Sequence, residues 1–241
     1  MLFKETVTAA TLDLIAKLMR DPYLRNFYLV GGTALSLKIG HRKSIDIDLF
    51  TSYNFSSETV GDYMRRQYKA DLTFLADNCV KGQINGVEFD FISHRYPILK
   101  SLETIDGIRM MSLEDIAAMK INAIVGSGKR IKDYIDIHYL LKKIDYGNML
   151  KFYCAKYPNV TAEMASSSLL YHKDIDFNVP VMIYDTKLKW KDIETSITKA
   201  IHGYERALQK PDLEHPKIDR DFRFKKQKKD EGHDKDHGLS F

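Results

Sequence analysis

The stretch Tyr28–Phe50, YLVGGTALSLKIGHRKSIDIDLF, places two adjacent glycines between an apolar run and a helical pattern, then two aspartates at alternating positions of a second apolar run. Phe27–Val30 reads as a short buried strand, Thr33–Ile39 as a helix closed by Gly40, and Ser44–Phe50 as a second strand. A strand that enters a helix through Gly31-Gly32 presents free backbone N–H groups at a helix N-terminus. That arrangement favours anions, phosphate above all, and glycine lets a ligand approach the backbone closely. Thr33 and Ser36 add hydroxyl donors. The ordinary alternative for a Gly-Gly pair is a tight turn with no ligand.

Alternate side chains of a strand share a face. The pattern therefore sends Ile45, Ile47 and Leu49 into the core and sets Asp46 and Asp48 side by side on the other face. Two carboxylates that close repel unless a cation or proton lies between them. Magnesium suits such a pair, since it takes hard oxygen ligands from one or two carboxylates and from the phosphates of a substrate. A third acid is expected from a neighbouring strand. Val87-Glu88-Phe89-Asp90-Phe91 offers both Glu88 and Asp90 on one face, and the residues alone leave that choice open.

The rest of the N-terminal half alternates helices and strands. A helix is expected over Val7–Arg20 and another over Ser57–Tyr68, with a strand over Leu72–Leu75. Val80–Ile84 and Val87–Ile92 form a hairpin about Asn85-Gly86, a type I′ signal. After Arg109 the pattern turns helical, opening at Ser112 as N-cap with Asp115 three residues on. It stays so to about Leu208, apart from an extended stretch expected over Phe177–Tyr184. The whole reads as an α+β fold: a small mixed β-sheet core with helices over residues 1–110, then a mainly helical lobe over 111–209 that completes a cleft. Residues 210–241 carry nine Lys or Arg against eight Asp or Glu and are broken by Pro and Gly, which reads as a flexible arm. Its one basic run is Phe222–Lys229.

At 241 residues, 44% hydrophobic and 29% charged, the composition is that of a globular protein with a proper core. No window has the length and apolarity of a membrane span, so no membrane partner is expected. Cys79 and Cys154 match no metal or redox spacing and read as free thiols of a cytoplasmic protein. The net charge of +4 permits a nucleic-acid partner without requiring one.

Gly31-Gly32-Thr33-Ala34-Leu35, followed by His41-Arg42-x-Ser44-x-Asp46-x-Asp48-Leu49-Phe50, resembles the AbiEii/AbiGii-type nucleotidyltransferases, toxins of bacterial abortive-infection and toxin–antitoxin systems within the DNA polymerase β-like superfamily. Thirteen residues separate Gly32 from Asp46, which fits that pattern. Lys120 and Lys132-Asp133-Tyr134-Ile135-Asp136 resemble its second element, and the likeness runs from about Phe27 to Leu141. The resemblance implies two Mg2+ ions, with Mn2+ as an alternative, at Asp46, Asp48 and Asp90, the aspartate being preferred to Glu88 on that strand. It implies a nucleoside triphosphate bound by Gly31, Gly32, Thr33, Arg42, Ser44, Lys120, Lys132 and Asp133. It also implies transfer of a nucleoside monophosphate to an acceptor hydroxyl, RNA and tRNA-like above all, and a cognate antitoxin as partner. The competing functions are transfer to a small molecule of the antibiotic type and an idle nucleotidyltransferase fold that only binds; the intact acids count against the second.

Other features have plainer readings. Lys132 and Asp136, like Lys129 and Asp133, are four apart on a helix and would ordinarily be exposed ion pairs. Val125-Gly126-Ser127-Gly128-Lys129-Arg130 imitates half a P-loop but has Ala123 and Arg130 where glycine and Ser/Thr are needed, so it reads as an interhelical turn. His94 and His138 read as structural, and His41 has no evident partner in the sequence.

Overall fold

A computed structural model describes residues 1–209; the expected arm over 210–241, with its basic run, lies outside the described residues. The chain runs α1 (Ala9–Arg20), β1 (Tyr28–Leu29), α2 (Gly31–Ile39), β2 (Ile47–Thr51), α3 (Ser57–Tyr68), β3 (Asp71–Ala76), β4 (Cys79–Ile84), β5 (Val87–Ser93), β6 (Glu103–Ile105) and β7 (Ile108–Met110). Five helices follow: α4 (Leu113–Gly126), α5 (Ile131–Leu140), α6 (Tyr146–Lys156), α7 (Ala162–Leu170) and α8 (Trp190–Leu208). The seven strands form one mixed sheet in the order β3-β4-β5-β2-β1-β7-β6. This is the expected α+β architecture, with the change from sheet to helices between Met110 and Leu113. Sheet and helices share one continuous core, from Leu29, Leu49 and Phe91 to Ile116, Ile121, Ile137 and Ile197.

Local chemistry explains most boundaries. Thr8, Ser56, Ser112 and Thr161 each accept the backbone N–H three residues on, capping α1, α3, α4 and α7. Asn85 and Gly86 both take positive φ, as the type I′ turn between β4 and β5 requires. A second hairpin, β6–β7, turns at Asp106-Gly107, also with positive φ at both residues. It was not among the sequence expectations, because its strands are too short to show alternation. On β2, Ile47, Leu49 and Thr51 are buried. The alternation fails one step earlier: Ile45 is 61% exposed, because the strand begins only at Ile47.

The stretch 171–189, which contains the expected extended residues Phe177–Tyr184, forms no named strand. It is a strap with two isolated bridges, Arg42↔Ile183 and Arg130↔Asp176. Lys43 N–H donates to the Met182 carbonyl at 2.8 Å, Tyr184 N–H to His41 at 3.2 Å, and Asp176 N–H to Lys129 at 2.9 Å. The strap thus joins the loop before β2 to the turn between α4 and α5. Residues 127–130 are that turn, in keeping with the rejection of a P-loop there.

Asp115 anchors the loop that leads from β5 towards β6. Its buried carboxylate accepts from Leu99 N–H at 3.0 Å, Lys100 N–H at 3.1 Å, the Ser112 hydroxyl at 2.8 Å and Lys156 Nζ at 2.6 Å. Removing one partner of a buried ion pair strands the other. Asp115→Ala is therefore expected to cost about 3–5 kcal/mol, read as a lower urea midpoint at unchanged slope; a loss below about 1 kcal/mol would contradict the account.

Candidate active site

The candidate site, expected from the sequence to be a cleft, is centred where β2 and β5 run parallel. Their register pairs Ile47 with Phe89, Asp48 with Asp90 and Leu49 with Phe91. The apolar members face the core, so Asp48 and Asp90 become neighbours on the opposite face, while Glu88 is exposed and pairs with Gln83 on β4. Asp46 lies immediately before β2 and is half-buried. Burial raises the Asp48 carboxyl above its ordinary value, and the fields of Asp90 and Asp46 push the same way against the counter-effect of Lys120.

Both glycines of the opening motif make room for this chain's own side chains. Gly31 has φ +70°, and a Cβ there would run into Asp48 Oδ2. A Cβ at Gly32 would run into the Arg42 guanidinium. Thr33 donates its hydroxyl to the Asp46 carbonyl and lies 2.9 Å from the Ser44 hydroxyl, so α2 and the loop before β2 are locked together.

Arg42 does not face the cleft. It is buried and grips Asp136, with Nε 2.7 Å from Oδ1 and Nη2 3.0 Å from Oδ2. His41 Nε2 reaches the same Oδ1 at 2.7 Å and Lys120 Nζ reaches Oδ2 at 2.6 Å. Lys120 also contacts Asp133 at 2.8 Å, and Arg130 contacts Asp133 at 3.3 Å. Burial works against charge on Asp136, but Arg42, Lys120 and His41 outweigh it and hold the carboxyl well below its ordinary value. Burial likewise opposes charge on Lys120, and Asp136 and Asp133 reverse the sign. Burial pushes the His41 imidazole down, so it is neutral and donates through Nε2.

The exposed ion pairs read from helical spacing are absent. Asp133 and Asp136 are buried on the face of α5 that meets α2 and α4, and Lys132 turns the other way, with Nζ 3.4 Å from Asp46 Oδ2. Of the residues singled out in the sequence, Asp46, Asp48, Asp90, Gly31 and Lys132 thus border the cleft. Thr33, Ser44, Arg42, Lys120 and Asp133 are buried and form the layer behind it, with half-buried Gly32 between the two.

Three participants were not singled out as site residues: Asp136, His41 and Lys81. Lys81 lies opposite Asp90 on β4 and pairs with its carboxylate. The two-residue turn at Asn85-Gly86 fixes the hairpin register, so this pairing could have been counted off the sequence. Asp136, flanked by Ile135 and Ile137, carried a weaker sign of burial.

The acids supply the hard oxygen donors that magnesium prefers, on one face and in mutual electrostatic range. Among the described residues no three His, Cys, Asp or Glu side chains are grouped closely enough to hold a metal ion as they lie. Asp46 and Asp90 each carry a lysine instead.

A model of the nucleotidyl transferase AbiEii toxin family, of the type IV toxin–antitoxin class, matches residues 13–101 and 85–159. The chain belongs to this family. Its activity class is nucleotidyl transfer. An uncharacterized protein of Aquifex aeolicus (strain VF5) is 30% identical over 185 residues, covering 74% of this chain and 88% of that one. The crystal structure of JHP933 from Helicobacter pylori matches with a TM-score of 0.51 at 15% identity, covering 84% of this chain and 94% of that one. An antigenic nucleotidyltransferase-like protein from Paracoccidioides brasiliensis matches with a TM-score of 0.48 at 14% identity, over 80% of this chain and 94% of that one. At such identities the likeness to JHP933 is one of fold. Among the described residues no helix is long and apolar enough to cross a membrane.

Two expectations follow from the electrostatics. The folded-state value of Asp48 lies above 3.8, so its ionisation opposes folding, and Asp48→Asn is expected to raise the melting temperature at pH 7. That gain should shrink as the pH falls towards 3.8, where the wild-type carboxyl is neutral when folded. Asp136 has the opposite sign: its folded value lies below 3.8, so its contribution is full above 3.8 and lost only in stronger acid. Asp136→Asn should cost about 3–5 kcal/mol at pH 7, a gap that narrows below pH 3.8 in unfolding titrations. A pH-independent gap in either case would contradict the assignment.

Proposed function

We propose that this nucleotidyltransferase moves a nucleoside monophosphate from a nucleoside triphosphate to an acceptor hydroxyl of RNA, tRNA-like in kind, and that it is the toxin of a toxin–antitoxin pair in the cytoplasm. The observation that carries the reading is the parallel register that sets Asp48 beside Asp90, with Gly31 kept bare over the Asp48 carboxylate. Asp46, Asp48 and Asp90 would hold Mg2+ or Mn2+, which supplies charge neutralisation at the phosphates and lowers the pKa of the acceptor hydroxyl.

The chain's own residues supply the remainder. The N-terminus of α2 meets the triphosphate with the backbone N–H groups of Gly31 and Gly32. Lys132 leaves Asp46 for the developing phosphate charge. A carboxylate of the cleft takes the acceptor's proton as its oxygen bonds to the α-phosphorus and pyrophosphate leaves. Arg42, Lys120, Asp133 and Asp136 act behind this, holding the Asp46–Asp48 segment against α5. They are positioning residues.

RNA is favoured over a small acceptor by exposed cations around the joined loops. Lys43, Lys129 and Arg130 all present charge there, and spaced cations bind phosphates without reading sequence. The toxin role and the antitoxin partner rest on family membership.

The test is incubation of the protein with total tRNA, Mg2+ and each α-labelled triphosphate in turn. Label should enter RNA from at least one triphosphate. Asp46→Asn, Asp48→Asn and Asp90→Ala should each lower transfer by at least about 10²-fold, the scale expected when a group that stabilises transition-state charge is removed. Glu88→Ala should be tolerated. Label on an added aminoglycoside instead of RNA would move the acceptor to a small molecule, and wild-type rates in the aspartate variants would overturn the catalytic assignment.

A further inference from the structure

We propose that Lys81 is a further working residue of this site: its ammonium holds Asp90 in the nucleotide-free protein, so the acids take up one divalent cation alone and a second only after a triphosphate draws the lysine away. The proposal rests on the nucleotidyltransferase reading above and adds an order of binding to it.

Three aligned residues carry it. Lys81 pairs with Asp90 across β4 and β5, and Asp90 pairs with Asp48 across β5 and β2. The three side chains therefore form a row perpendicular to the strands, on the face away from Val80, Phe89 and Leu49, which are buried. The Lys81 side chain is 39% exposed and that of Asp90 27%. The lysine is thus within reach of a ligand in the cleft while already committed to one of the acids. At the other end Lys132 stands looser, 3.4 Å from Asp46. Asp48, between them, makes no ion pair among the described residues and carries the like charge of both neighbours.

A cation is attracted first to Asp48, which has no ion-pair partner among the described residues, and to Asp46, whose lysine stands farther off than the one on Asp90. Asp90 becomes available only when its lysine finds a better anion. A triphosphate carries more charge than one carboxylate, and Lys81 has the length and exposure to follow it. An ordinary cross-strand ion pair would be indifferent to both divalent ions and triphosphate.

The experiment measures Mn2+ uptake by the full chain without nucleotide, from the loss of the free-ion paramagnetic resonance signal, and separately the affinity for α,β-methylene ATP. Wild type should take up one Mn2+ per chain. Lys81→Met should take up two, and Lys81→Arg should behave as wild type. For the ATP analogue the change should be opposite, with about tenfold weaker binding by Lys81→Met, the loss typical of one charged hydrogen bond. Asp90→Asn in the wild-type background should keep the single ion, and this variant tests the proposal even where Lys81→Met fails to fold. Equal uptake by wild type and Lys81→Met, two ions or none in wild type, or loss of the ion in Asp90→Asn would each overturn it. Failure of the nucleotidyltransferase reading would show separately, as no label transfer from any triphosphate despite the difference in Mn2+ uptake.

Discussion

The Asp136 carboxylate is the point on which the cleft depends. It lies on α5, fully buried, and receives donors from three other positions: His41, Arg42 and Lys120. An isolated buried carboxylate would be strongly unfavourable. With two cations and a neutral imidazole on its two oxygens it becomes a rigid joint, and every donor group is held to it by charge as well as geometry. The joint fixes the residues just before Asp46 against the helix that carries Lys132. Without it the loop that leads into Asp46 would keep only its ties to Thr33 and to the strap.

The same joint explains why both glycines are needed. Arg42, as it grips Asp136, stands where a side chain at Gly32 would be, and Asp48 stands where a side chain at Gly31 would be. The motif is therefore a packing solution before it meets any ligand. A bare helix N-terminus results, and with it a place for phosphate. Electrostatics then set the balance inside the cleft. Three carboxylates gather on one face, and the protein tempers their repulsion with Lys132 and Lys81 at the two outer members.

Much of this was legible in the chain. The Gly-Gly pair, the Asp-x-Asp alternation and the Asn85-Gly86 turn are local signals, and local sterics made them reliable. Ser57–Tyr68 is a helix with the expected limits. Errors came where tertiary context decides. Ile45 continues the alternation in sequence, yet the chain pairs as a strand only from Ile47. Lys132 and Asp136 have the spacing of an exposed pair, but spacing cannot say which side of α5 other helices cover. The roles of Arg42 and Lys120 were hidden for the same reason, since their partner is about ninety residues from one of them and supplied by another element. The β6–β7 hairpin announced itself only by Asp106-Gly107.

The strap over 171–189 has a consequence for synthesis of the chain. The loop before β2 is stitched to residues separated from it by more than a hundred positions, at Met182 and Tyr184. Arg42 waits for Asp136, some ninety-four residues later. Such distant contacts form late, because a long loop must close before they can reward it. A ribosome that has delivered only the first half of the chain has therefore made the acids but neither the joint that orients them nor the strap that secures it. The contacts that orient the acids therefore close only after most of the chain has emerged, nearly together with the completed fold.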